Sequence, residues 1–70
     1  MKIRVNGEPL ELAGARSILQ LLEQLEIDPR RVAVEHNLTI VKRDRYESTT
    51  IGEGDEVEIV NFVGGGNSGS

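Results

Sequence analysis

The first twelve residues alternate between apolar and polar side chains around a central Asn6-Gly7 pair. Ile3 and Val5 precede the pair, and Leu10 and Leu12 follow it. Asn-Gly between two alternating runs predicts a β-hairpin with a type I′ turn, because both turn residues must adopt positive φ. The chain therefore opens with two antiparallel strands.

A two-residue loop also fixes the register of this hairpin. Apolar side chains then face each other, and Arg4 and Pro9 form a pair that exchanges no hydrogen bonds. The missing N–H of Pro9 points away from the first strand, so we expect the second strand to be a sheet edge. The predicted pairs are Val5 with Glu8, Arg4 with Pro9, Ile3 with Leu10 and Lys2 with Glu11.

A helix is predicted to begin after Ser17, which forms a capping box with Gln20. Apolar residues then recur at helical spacing, polar residues occupy the opposite face, and Pro29 prevents much continuation beyond Ile27. The apolar positions are Ile18, Leu21, Leu22 and Leu25, and the polar ones are Gln20, Glu23, Gln24 and Glu26.

The second half of the chain is predicted to return to strands. Residues 32–35 and 39–41 flank a turn near Asn37-Leu38, a charged loop with a short turn around Tyr46 follows, and residues 56–62 form the last strand after a turn at 52–55. One helix after a hairpin, followed by more strands, predicts an α+β, β-grasp fold: a mixed four- to five-stranded sheet with the helix across one face. The last strand should lie beside the first and parallel to it, since the helical crossover supplies the long connection.

Composition argues against several classes of function. The chain has 70 residues, a formal net charge of −4, no cysteine and a single histidine, His36. The acidic balance argues against nucleic-acid binding, and the absence of thiols and of a second histidine argues against a metal site. No segment reaches the ~20 apolar residues of a membrane span. We expect a cytoplasmic monomer with no membrane partner, comprising a domain at 1–63 and a flexible glycine-rich tail at 64–70.

No usual catalytic pattern is present, so no catalytic residue is assigned and the chain is predicted not to be an enzyme. Gly52-Glu53-Gly54 is typical of a tight turn, and His36 of a structural or solvated strand end. The basic residues could form a partner-binding patch if their two loops meet, although charge runs are usually solvated faces. These residues are Arg30, Arg31, Lys42, Arg43 and Arg45.

Three consecutive glycines, Gly64, Gly65 and Gly66, follow the last strand. A thread without side chains can enter a narrow active site on another protein. Glycine- and serine-rich ends are also common as linkers, and composition alone leaves both readings open.

In its motifs the chain resembles the ThiS family of thiamine-biosynthesis sulfur carriers, β-grasp relatives of ubiquitin and of the molybdopterin synthase small subunit. The resemblance runs along residues 1–66, and its specificity lies in the order of the pieces. They are Ile3-x-Val5-Asn6-Gly7, Leu21-Leu22-x-x-Leu25, Val32-Ala33-Val34-Glu35-x-Asn37, Ile40-Val41-x-Arg43, Gly54-Asp55-x-Val57-Glu58-Ile59-Val60 and Phe62-Val63-Gly64-Gly65-Gly66.

The resemblance implies that the glycine tail is the working end. The carboxylate of Gly66 would be adenylated with ATP by an activating enzyme related to ubiquitin activators, and sulfur would then displace AMP to give a thiocarboxylate. Implied partners are that adenylyltransferase, a sulfur donor of the cysteine desulfurase or rhodanese type, and thiazole synthase. No cofactor is bound permanently.

Four residues, 67–70, follow Gly66, whereas members of the family usually end at the diglycine. An amide bond at Gly66 cannot be adenylated like a carboxylate. Either a peptidase removes these residues, or they are foreign to the natural chain, or the chain is inactive as written.

Strand parity adds a docking prediction. If Val57 and Ile59 point at the helix, then Val60 and Phe62 point to the uncovered face of the sheet. Together with Val63 they would form a docking patch beside the tail. The alternative places Phe62 in the core, as is common for a lone large aromatic residue.

Two other functions stay open on sequence alone. One is a sulfur carrier serving molybdopterin or cysteine synthesis, because the diglycine chemistry is shared. The other is a non-covalent β-grasp interaction module, in which the four extra residues would be permanent.

Overall fold

A mixed five-stranded sheet, with one helix across one face, organises the computed structural model, which describes residues 1–14 and 16–62. The strands and the helix are β1 (Lys2–Val5), β2 (Glu8–Glu11), β3 (Arg16–Ser17), α1 (Ile18–Gln24), β4 (Val32–His36), β5 (Thr39–Val41), β6 (Thr50–Ile51) and β7 (Glu56–Asn61). Short 3₁₀ helices occupy Pro29–Arg31 and Arg43–Arg45. The strand order is β2-β1-β7-β4-β5, and a two-stranded sheet pairs β3 with β6.

The pairings of β1 confirm the predicted β-grasp arrangement. β1 pairs antiparallel with β2 in the predicted register, and β2 lies at the sheet edge. On its other side, β1 pairs parallel with β7. The last strand thus lies in the middle of the sheet, and its C-terminal end carries the tail.

Helix α1 begins with the predicted capping box. The backbone N–H of Gln20 donates to Oγ of Ser17 at 3.1 Å, and the backbone N–H of Ser17 donates to Oε1 of Gln20 at 3.0 Å. The helix ends at Gln24, and Glu26 follows with φ +59°. This left-handed residue turns the chain towards Pro29 before a helix could reach it.

The core lies between α1 and the sheet. Two of its members, Tyr46 and Ile51, were missed from the sequence, because the polar and charged residues around them gave no sign that these positions are buried. The hydroxyl of Tyr46 donates to the backbone oxygen of Val32 at 3.2 Å, and burial raises its pKa. Buried core residues are Ile3, Leu12, Ile18, Leu21, Leu22, Val32, Val34, Val41, Tyr46, Ile51 and Val57.

Two asparagines, one in each hairpin turn, hydrogen-bond to β7 from its two sides. Asn6 and Asn37 each begin a two-residue turn, with φ of +52° and +51°. The Asn6 N–H donates to the oxygen of Val57 at 2.9 Å, and its Oδ1 accepts from the N–H of Ile59 at 2.8 Å. Asn37 makes the matching pair of bonds to Glu56, at 2.8 and 2.9 Å. The hairpin turns therefore hold the strand that leads to the tail.

Candidate functional site

The face of the sheet not covered by α1 exposes apolar side chains near the end of β7. Val60 and Phe62 are 62% and 61% exposed, while Val57 is buried and Ile59 partly buried. The predicted alternation along this strand is therefore confirmed, and the alternative that Phe62 packs in the core is wrong. Phe62 follows directly after β7, and the two-residue period of the strand, continued by one residue, places it on the same face as Val60.

Phe62 is also the last described residue before the tail. Its N–H donates to the oxygen of Arg31 at 2.9 Å, which ties the end of β7 to the segment that leads into β4. Val63, Gly64, Gly65 and Gly66 lie outside the described residues. Their roles in docking, threading and sulfur attachment stay predictions.

The register of β4 and β7 shows which residues lie next to Val60 on the exposed face. Ala33 lies opposite Val60, and Glu35 lies opposite Glu58, one row further from the tail. The row nearest the tail is therefore apolar and the next row is acidic. Because apolar contact gives affinity and flanking charge gives orientation, this pattern suits docking of a protein surface.

The predicted basic residues divide into two groups with different charge partners. Oδ2 of Asp28 lies 3.2 Å from Nη2 of Arg30 and 3.7 Å from Nε of Arg31. The side-chain hydrogen bond from Arg30 is the main cause that lowers the pKa of Asp28. Within the described residues, no carboxylate lies in salt-bridge range of Lys42, Arg43 or Arg45. That all five residues form a single patch stays a prediction.

His36 is a structural strand end, as predicted, and its partner is Asp55. An ionised carboxylate only accepts hydrogen bonds, so Nε2–H of His36 donates to Oδ2 of Asp55, at 2.7 Å. The same oxygen accepts from the backbone N–H of Gly52 at 2.8 Å. The bond from Gly52, followed by that from His36, lowers the pKa of Asp55. The sequence analysis missed this contact. The signal for it was Gly52-x-x-Asp55, a turn in which the aspartate side chain can reach both the Gly52 N–H and His36.

Two further structural findings bear on other classes of function. Among residues 1–14 and 16–62, no three histidine, aspartate or glutamate side chains come together as metal ligands. In the same part of the chain, no helix has the length and apolar character that crossing a bilayer requires.

Comparisons with known proteins agree with this fold. A family model described as the ThiS family matches residues 3–66. The sulfur carrier protein ThiS of Bacillus subtilis is 32% identical over 65 residues, which cover 91% of this chain and 98% of that protein. The crystal structure of the thiamine biosynthesis protein ThiS from Geobacter metallireducens superimposes with a TM-score of 0.83 at 35% identity, covering 94% of this chain and all of the other.

A longer relative matches the same part of the chain. The thiazole synthase of Paramagnetospirillum magneticum is 42% identical over 66 residues, which cover 94% of this chain but only 20% of that protein. The chain thus spans about a fifth of the length of that relative. Family model, full-length relatives and solved structure agree over the described fold, and the chain therefore belongs to the ThiS family of sulfur carrier proteins.

Proposed function

We propose that this chain carries sulfur for thiazole formation as a thiocarboxylate on Gly66, and that catalysis is supplied by its partners. One observation carries the proposal. The family match continues to Gly66, five residues beyond the end of β7, and Val60 and Phe62 near that end are exposed.

The chemistry requires a free carboxylate at Gly66. A carboxylate oxygen attacks the α-phosphorus of ATP in the activating enzyme, pyrophosphate leaves, and an acyl-adenylate forms. The terminal sulfur of the donor's cysteine persulfide then attacks the acyl carbon, and AMP leaves. A thiol reduces the resulting acyl disulfide, which frees the donor cysteine and leaves the thiocarboxylate on Gly66. Gly64 and Gly65 let the tail pass a narrow channel, because glycine adds no side chain and accepts wide backbone angles. ATP belongs to the activating enzyme, and the carrier needs no permanent cofactor.

Partners follow from the same proposal. They are an adenylyltransferase related to ubiquitin activators, a sulfur donor of the cysteine desulfurase or rhodanese type, thiazole synthase and, if residues 67–70 are native, a processing peptidase. Thiazole synthase is supported by the Paramagnetospirillum protein of that name, a fifth of which resembles this chain. We place the carrier in the cytoplasm, as a monomer that meets one partner at a time.

Docking is assigned to Val60 and Phe62, with Val63 continuing the patch towards the tail. Two neighbouring apolar side chains, each more than half exposed, cost solvation free energy in the free protein and regain it when a partner covers them. The acidic pair Glu35 and Glu58 lies opposite each other in the next row, and so can orient the partner.

Intact-mass spectrometry tests the sulfur chemistry. A chain ending at Gly66, incubated with ATP, an adenylyltransferase of this class and a sulfur donor, should gain ~16 Da because sulfur replaces one oxygen of the activated acyl group. The matched control is the chain ending at Ser70, which should gain nothing because Gly66 is then an amide. No mass gain with an enzyme that modifies a known ThiS protein would contradict the proposal.

A second experiment tests the docking patch apart from the chemistry. Phe62→Ala should weaken binding to the activating enzyme about tenfold or more, because an aromatic anchor at an interface commonly contributes 1–2 kcal/mol or more. Its unfolding free energy should change little. Glu53→Ala, in the turn before β7, is the control that should leave binding unchanged. A large loss of stability with unchanged binding would place Phe62 in the core instead.

A further inference from the structure

The edge strand β5 and the turn before it carry the two most exposed large apolar side chains of the described residues. Leu38 is 81% exposed and Ile40 is 72% exposed. They lie at the opposite edge of the sheet from β2, and the row of Ile40 contains Glu35 and Glu58 rather than Val60. We name residues 38–42 the β5 edge. It is separate from the docking patch beside the tail.

Leu38 occupies a backbone conformation that its side chain disfavours. Its φ is +70°, in the left-handed region, where a residue with a Cβ costs roughly 1–2 kcal/mol. Glycine or asparagine would fill this turn position without that cost. A strained residue that also exposes its apolar side chain gains nothing within the fold, and such positions are typical of contact sites.

Ile40 leaves its backbone open to a further strand. In a two-residue hairpin the residues flanking the turn, His36 and Thr39, exchange hydrogen bonds, so the next pair, Glu35 and Ile40, does not. The N–H and C=O of Ile40 therefore point away from β4, into solvent. The position equivalent to Ile40 in the other edge strand is Pro9, which has no N–H to offer. One edge of the sheet is closed to pairing and the other is open.

A basic groove borders this open edge. Its volume is ≈ 360 Å³, and Thr39, Val41, Lys42, Arg45 and Thr49 contribute to its walls. Lys42 and Arg45 are exposed and have no carboxylate in salt-bridge range within residues 1–14 and 16–62. By contrast, Arg4 pairs with Glu56, and Arg30 and Arg31 share Asp28. Uncompensated positive charge on an acidic protein selects a negatively charged partner.

We propose that the β5 edge binds an extended acidic segment of a partner protein by strand addition. The partner strand exchanges backbone hydrogen bonds with Ile40, its apolar side chains cover Leu38 and Ile40, and its carboxylates pair with Lys42 and Arg45. This mode combines main-chain affinity with side-chain selection. The proposal does not rest on the sulfur chemistry, because it needs neither Gly66 nor the face around Phe62.

An NMR titration tests the proposal on the full chain. The probe is a blocked peptide of about nine residues in which a central run of valines is flanked at both ends by glutamates. Valine can then cover Ile40 while glutamate reaches Lys42, which lies two residues further along on the same face. Added to the ¹⁵N-labelled chain, it should shift the amide signals of residues 38–42 and slow hydrogen exchange at Ile40. A matched peptide with lysine in place of glutamate should bind about tenfold more weakly or not at all, since it meets Lys42 and Arg45.

Variants of the chain isolate each part of the contact. Ile40→Pro should weaken the glutamate peptide about tenfold by removing the outward N–H, and should still fold because Pro9 occupies the equivalent position of β2. Ile40→Val is the matched control and should bind as well as the wild type. The double variant Lys42→Glu and Arg45→Glu changes only exposed side chains and should also lose binding. If Ile40→Pro fails to fold, a peptide N-methylated at alternate residues makes the same hydrogen-bond test on the unmodified chain.

Several outcomes would overturn the proposal. The first is equal binding of the glutamate peptide to wild type and Ile40→Pro, or no binding to the wild type. The second is a set of shifts centred on Val60 and Phe62, which would assign the peptide to the tail-side patch. The third is a shift of the Ile40 amide that grows with chain concentration when no peptide is present, because the occupant would then be a second copy of the chain.

Discussion

The two hairpins of the sheet share one geometry and carry opposite chemistry. Each has a two-residue turn with both φ values positive, Asn6-Gly7 in one and Asn37-Leu38 in the other. In both, the asparagine clamps β7 through its backbone N–H and its Oδ1. The second turn residue is glycine in the first hairpin and an exposed leucine in the second.

The difference between the hairpins shows which of their residues follow the rules of folding and which do not. The β1–β2 hairpin obeys the local rules: glycine where φ is positive, proline to close the edge, and Ile3 in the core. The β4–β5 hairpin breaks these rules at Leu38 and Ile40 while keeping the same turn. Because rule-breaking positions in stable folds are commonly functional, this comparison marks the second hairpin as a contact surface.

Truncating one isoleucine in each hairpin should give the largest contrast. Ile3 is 1% exposed and belongs to the core, so Ile3→Ala should cost about 2 to 5 kcal/mol of unfolding free energy. Ile40→Ala, made in the other hairpin, should stay within about 0.5 kcal/mol because its side chain is already in solvent. Urea denaturation of both variants measures the two values. Similar losses would show that Ile40 packs inside the fold and would remove the contrast.

A pH-dependent side-chain contact joins Asp55 to His36 of the second hairpin. The pKa of Asp55 is lowered in the folded chain, so its stabilisation is fully present above the pKa of an unfolded aspartate, about 3.9, and is lost as pH falls through the lower folded value. Asp55→Asn should cost about 1.5 kcal/mol at pH 7, because the hydrogen bonds from Gly52 and His36 lose their charged acceptor. The difference between wild type and variant should shrink towards pH 2.

Denaturation at several pH values measures this loss, and hydrogen exchange locates it. The amide of Asn37 should exchange faster in Asp55→Asn, and that of Asn6 should change less. The Asp55 carboxylate contacts the second hairpin directly through His36, whereas the first hairpin meets Asp55 through the backbone bond from the Arg4 N–H. Asp44→Asn, in the exposed 3₁₀ turn, is the control and should alter neither amide. Equal acceleration at both asparagines would mean that Asp55 stabilises the sheet as a whole.

Local chemistry explains which parts of this comparison the sequence could predict. The Asn6-Gly7 turn, its register and the edge position of β2 were predicted, because Asn-Gly and Pro9 each act on the backbone next to them. The exposure of Phe62 followed from strand period. Missed were the burial of Tyr46, the pairing of β3 with β6 and the Asp55 contact. Each of these depends on residues that lie far apart along the chain, and no periodic pattern announces such contacts.

A side chain added at Gly7 should raise the conformational free energy of the Asn6-Gly7 turn to about that of the Asn37-Leu38 turn. Gly7 has φ +84° and nothing lies within 4 Å of a Cβ built there, so Gly7→Ala meets backbone strain without a steric clash. We expect a loss of about 1 kcal/mol, measured by urea denaturation. Gly52→Ala is the control, because the φ of Gly52 is outside the left-handed region and its Cβ would meet only Asp55 at 3.8 Å. A loss above about 3 kcal/mol would point to a changed register rather than local strain.

Relieving the strain at Leu38 should give the smallest effect and the most informative one. Leu38→Gly should stabilise the chain by about 0.5 to 1 kcal/mol, since glycine tolerates φ +70° and little apolar contact is lost. Leu38→Asn, which also tolerates this region but stays ordered in the turn, should give a similar gain. Both variants should bind the acidic valine peptide more weakly. A stability gain with a binding loss means that the leucine is kept for contact. A stability loss would show that Leu38 contributes to folding, and the two hairpins would then differ only in how each supports the same sheet.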